Sequence, residues 1–147
     1  MNQQSFKSIS RRLVIELAVV VALVSYKVNF PKGTSITQAW RFVFTNALVL
    51  LHVVVGTIIL AEAIIFLIRS IRSHNRSWIS WAFVGLAFVL LAYVSGEFYV
   101  ATQNNVAITY MGYGWFGAIV TFGLGWYWGP KKTTSSRLPS SEEQDKL

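Results

Sequence analysis

Apolar positions along the chain collect into four long runs, Leu13 to Val28, Val43 to Ile68, Ile79 to Val100 and Ala107 to Trp128, with polar and charged residues confined largely to the stretches between them. A helix rising 1.5 Å per residue needs about 20 apolar residues to cross a hydrocarbon core about 30 Å thick. The second, third and fourth runs are long enough, and the first is marginal. The pattern predicts an all-α polytopic membrane protein with four transmembrane helices in an antiparallel bundle over residues 13–128. A cytoplasmic segment, 1–12, precedes the bundle. The tail, 129–147, is Ser, Thr and charge with few apolar residues and is expected to be disordered.

Composition agrees with that pattern. The 147 residues are 54% hydrophobic and 13% charged, against about 25% charged in soluble domains, and the mean hydropathy is +0.49. With no cysteine there is no disulfide framework, thiolate metal site, Cys nucleophile or covalent c-type haem attachment. A net charge of +7 on a soluble chain would suggest nucleic acid, but here the cations bracket apolar runs instead of forming a basic stripe interleaved with aromatics, so no nucleic-acid partner is expected.

Charge position sets the expected orientation. With four crossings, Lys7, Arg11, Arg12, Arg69, Arg72, Arg76, Lys131, Lys132, Arg137 and Lys146 share one side, and Lys27, Lys32 and Arg41 the other. The positive-inside rule then puts both termini in the cytoplasm, N-in and C-in, in the cell membrane. A signal peptide is the alternative for the first run, but Glu16 interrupts it and no A-x-A-like site follows, so an uncleaved span is expected. The external linker from Asn29 to Arg41 carries Pro31, Gly33 and Thr37, the last a candidate helix N-cap. Asn104 and Asn105 mark the other external turn. Trp40, Trp78, Trp81, Trp126, Tyr127 and Trp128 fall at run ends, as an aromatic belt would place them.

Ionisable groups inside the apolar runs carry the functional question, because each costs about 2.5 to 3.5 kcal/mol at a bilayer centre. Helical rise places Glu16 and Glu62 in the inner half of the bilayer and His52 and Glu97 in the outer half. One reading of this polar cluster is a proton or ion relay from Glu16 and Glu62 toward His52 and Glu97. The other is structural, with the two inner carboxylates snorkelling to water or pairing with Arg12 and Arg69; Arg12 and Glu16 stand at i, i+4.

His52 shares a helical stripe with Thr45, Gly56, Ile59 and Ala63. It admits three readings: an axial ligand to haem b, an interhelical hydrogen bond to Glu97 or Tyr110, or a relay member. His74, the only other His, lies in a charged linker, so Met111 is the internal candidate for a sixth ligand. In the last run Gly114, Gly117, Thr121 and Gly125 recur at offsets of three, four and four, a small-residue stripe for close helix packing, as Gly56 would be in the second. No Gly-rich phosphate loop, H-E-x-x-H or nucleophile elbow occurs, and no catalytic residue or metal site beyond haem iron is assigned.

The run Leu51-His52-Val-Val-Val-Gly56, with Ser95-Gly96 and Tyr110-Met111-Gly112, resembles small uncharacterised four-helix membrane proteins of bacteria and archaea, whose architecture some multi-span b-type cytochromes share. That resemblance implies a fold and leaves function open, since the two pairs of membrane His of two-haem cytochromes are missing. Three functional expectations follow: a non-catalytic or accessory subunit packed against other membrane subunits or its own copies in the lipid bilayer; an electron-transfer subunit binding haem b through His52; and a proton-coupled transport subunit using Glu16, Glu62 and Glu97.

Overall fold

The computed structural model describes residues 3–24, 31 and 35–129, and the expected disordered tail beyond Gly129 lies outside the described residues. Five helices make up the described chain: α1 (Gln3–Val24), α2 (Ile36–Thr45), α3 (Ala47–Arg72), α4 (Arg76–Thr102) and α5 (Asn105–Trp128). The fold is all-α, but the expectation of four transmembrane helices is corrected. Among the described residues three helices, α3, α4 and α5, are long and apolar enough to cross a membrane. The reason lies in α1, where Lys7, Arg11, Arg12 and Glu16 divide 22 residues and leave no uninterrupted apolar stretch of spanning length. An N-in, C-in orientation therefore no longer follows from counting four crossings.

The second run is divided as well. Asn46, at φ −95° and ψ 108°, leaves helical geometry; its N–H donates to the Phe42 carbonyl, closing α2, and its side-chain oxygen accepts from Leu48 and Val49 N–H, opening α3. The N-cap of α2 is Ser35 and not Thr37: the Ser35 hydroxyl accepts from Gln38 N–H while the Gln38 side chain accepts from Ser35 N–H, a reciprocal capping box. Asn75 caps α4 with its side chain alone, accepting from Trp78 N–H, and Asn104 caps α5, accepting from Val106 N–H. Between α4 and α5, Gln103 adopts a left-handed φ of 54°, which lets the chain reverse within two residues.

The helices pack through small residues and one aromatic cluster. On α1, Phe6, Ser10, Leu13, Leu17 and Val20 are all buried, and their steps of four and three make a seam along one side of the helix. That seam lies against α3 and α5. Phe6 stacks on Trp78 at 5.3 Å between ring centroids, and Phe66 meets Phe6, Trp78 and Phe122 at 6.0, 6.1 and 6.0 Å. These four rings gather α1, α3, α4 and α5 at the end of the bundle that carries Lys7, Arg11, Arg69, Arg72 and Arg76. Trp78 is fully buried there, so it is a core residue and not a member of an aromatic belt, whereas Trp126, Tyr127 and Trp128 are exposed.

The closest approach is between α4 and α5. A Cβ on Gly114 would fall 2.5 Å from the Ala92 nitrogen and 2.7 Å from the Phe88 carbonyl oxygen, and one on Gly117 would collide with the Phe88 ring. Elsewhere the bundle presents large apolar side chains outward, among them Leu51, Ile58, Ile65, Phe83, Val94 and Phe116, a surface that suits acyl chains and not water. Gly114→Ala is expected to lower stability in detergent by about 1 to 3 kcal/mol through overpacking. Gly112→Ala, where a Cβ meets nothing within 4 Å, should leave it unchanged or raise it by up to about 1 kcal/mol through helix propensity; thermal unfolding of the two variants checks the contrast.

Candidate functional site

Charged side chains converge at one place among the described residues, where α1 crosses α3. Arg12 and Glu16 stand one turn apart on α1, and the Arg12 Nε donates to Glu16 Oε1 at 2.8 Å. The same guanidinium donates through Nη2 to Glu62 Oε1 on α3. Two carboxylates therefore share one cation. The carboxylates are the better enclosed partners, at 22% and 17% side-chain exposure against 63% for Arg12. The hydrogen bond that Arg12 donates to Glu16, followed by the charges of Glu62 and Glu16, raises the guanidinium above its already high ordinary value. Arg12 thus stays positive at every accessible pH.

A cleft of about 160 Å³, lined by Ile9, Arg12, Glu62, Ile65 and Arg69, opens beside this cluster. Glu62 and Arg69 are seven residues apart and so lie on one face of α3, with Arg69 toward the helix end. Pairing of the inner carboxylates thus goes through Arg12 for both, while Arg69 borders the cleft. Glu16 Oε2 is enclosed without a hydrogen-bond partner among the described residues.

The other polar positions are placed separately. His52 is half-buried on α3, near the Val20 carbonyl of α1, and its Nδ1 has no hydrogen-bond partner among the described residues. Glu97 is half-buried on α4, and no ion pair joins it to His52 among the described residues. The Met111 sulfur points at α4, so close that a Cβ on Gly96 would lie 3.6 Å from it. On α5, Gly114, Thr121 and Gly125 are buried and Gly117 abuts Phe88, whereas Gly56 on α3 faces open space within 4 Å.

The haem b expectation, and with it electron transport, is corrected by this arrangement. Among the described residues no three His, Asp or Glu side chains come together as a ligand group. His74 stands at the exposed α3–α4 turn with its Nδ1 3.1 Å from the Arg72 carbonyl, and Met111 fills the space over Gly96 instead of reaching toward His52. A single half-buried imidazole is left, and the resemblance to b-type cytochromes falls with the ligand pair and the fourth span. Comparison with protein families, curated proteins and solved structures finds no match.

Two polar contacts that the sequence reading did not foresee tie α1 to α5. The buried Ser10 hydroxyl donates to the Phe122 carbonyl at 2.6 Å, and the Trp115 Nε1–H donates to the Leu17 carbonyl at 2.8 Å. Their signal was available in the spacing of Phe6, Ser10, Leu13, Leu17 and Val20, which puts Ser10 at a seam position. Arg12→Ala should strand two enclosed carboxylates and lower stability measurably, while Arg11→Ala, one residue away and exposed, should leave it within about 0.5 kcal/mol of the parent. Adding Glu62→Gln to Arg12→Ala should recover part of the loss, a coupling that a double-mutant cycle of unfolding in detergent measures directly.

Proposed function

We propose that the chain is a non-catalytic accessory subunit of a complex in the cytoplasmic membrane. The observation that carries this reading is the sharing of Arg12 by Glu16 and Glu62. A relay needs carboxylates free to take up and release protons, and both inner carboxylates are tied to a permanent cation and serve to hold α1 on α3. The basic end, with Lys7, Arg11, Arg69, Arg72 and Arg76, faces the cytoplasm by the positive-inside rule.

The outward surface supports partner packing. Gly112 and Gly123 are 11 residues apart on α5, three turns along one face, and a Cβ on either meets nothing within 4 Å. Phe116, exposed between them, gives this face a ridge with a hollow at each end, the relief against which another membrane helix packs closely. Partners of this kind are other subunits or further copies of the chain.

Native-gel migration in membranes extracted with a mild detergent tests the reading. The protein is expected in an assembly several times its own 16.5 kDa, and Gly112→Leu with Gly123→Leu should release it from that assembly while its thermal midpoint is kept. Migration as a lone chain, or proton flux in proteoliposomes that Glu62→Gln abolishes, would overturn it.

A further inference from the structure

Helix α2 divides its surface into three sectors. With about 100° between successive residues, Ala39, Phe42 and Val43 fall in one sector about 100° wide, and Ala39 and Val43 are fully buried against the bundle. The next sector, about 80° wide by the same geometry, holds Ile36, Trp40 and Phe44. Ile36 is 58% and Phe44 65% exposed, with the Trp40 ring 6.0 Å from that of Phe44. The remaining sector holds Thr37, Arg41, Thr45 and Gln38, all exposed. Among the described residues, therefore, one side of the helix meets protein, one is apolar and exposed at Ile36 and Phe44, and one is polar.

We infer that α2 lies in the interface of the bilayer leaflet at the end of the bundle opposite the basic cluster, with the phospholipids of that leaflet as its partner. Ten residues span about 15 Å, half the hydrocarbon thickness, so α2 does not cross. A helix in water would leave Ile36 and Phe44 uncovered, and one within the hydrocarbon would strand Arg41, Thr37 and Gln38. Only the boundary between acyl chains and headgroups satisfies both sectors. Just beyond Asn46, Leu48 and Leu51 of α3 are likewise exposed and suit acyl chains. Arg41 supplies a cation at the level of the lipid phosphates, and Trp40 is of the residue type favoured at that depth. Caps at both ends, Ser35 with Gln38 and Asn46, make the helix a unit of its own that turns away from the axis of α3.

The absence of native cysteine permits a direct test on the full chain in vesicles of phosphatidylcholine and phosphatidylglycerol. Ile36→Cys, Thr37→Cys, Arg41→Cys and Phe44→Cys are each spin-labelled, and collision with oxygen, which partitions into lipid, is compared with collision with a water-soluble nickel chelate. The ratio of oxygen to nickel accessibility is expected to be several-fold higher at 36 and 44 than at 37 and 41. Equal nickel access at all four positions would overturn the inference by placing the helix in water. Protection of 36 and 44 from both reagents would overturn it by showing that protein covers the sector. Because four positions are read independently, one variant that fails to fold leaves the pattern measurable, and a shared thermal midpoint identifies the folded ones.

Discussion

The bundle depends on fitting a charged helix against apolar ones. Helix α1 brings Lys7, Arg11, Arg12 and Glu16 to an assembly whose other long helices are almost entirely hydrocarbon, and the fit works because charge and apolarity occupy different sides of the same helix. Phe6, Leu13, Leu17 and Val20 point inward, and Arg12 on the outer side neutralises Glu16 and reaches Glu62 on α3. An ion pair exposed to water contributes little. Here the carboxylates are mostly enclosed, so the value of Arg12 lies in the cost that its removal would expose.

Around that helix the rest follows from size. Small residues on α5 admit α4 to backbone contact at Gly114, and the same face turns Phe122 toward Gly85 and α1. Between apolar helices in lipid there is little hydrophobic gain in association, so close van der Waals packing and interhelical hydrogen bonds of about 1 kcal/mol each hold the assembly together. Ser10 to Phe122 and Trp115 to Leu17 are of that kind. The four-ring cluster joins α1, α3, α4 and α5 at the basic end of the bundle.

The polar groups are placed by packing and pairing between helices. Glu16 and Glu62 are partners in an interhelical clamp, and Met111 is a filler over Gly96. His52 is half-buried beside the Val20 carbonyl of α1. What the protein presents outward is a broad apolar surface, relieved by glycines on α5 and bordered by an amphipathic helix at one end.

Membrane character, helical class and the positions of α4 and α5 could be read along the chain, because hydropathy and length are local quantities and the cost of placing backbone in lipid forces a helix. Pairing of Arg12 with Glu16 was legible for the same reason, being set by one helical turn. Three features were not. The division of the second run rests on Asn46 acting as the cap of two helices at once, and its side chain reads equally well as an ordinary polar residue in a helix. The status of α1 turns on where the helix begins, at Gln3 and well before the apolar run, so that four charges fall within its 22 residues. The partner of Glu62 depended on which helix lies beside α3 and at what height. Such neighbour relations join residues distant along the chain, and they are fixed by the mutual fit of Gly114 with Ala92, of Phe6 with Trp78 and of Ser10 with Phe122, contacts that exist only once the helices have packed.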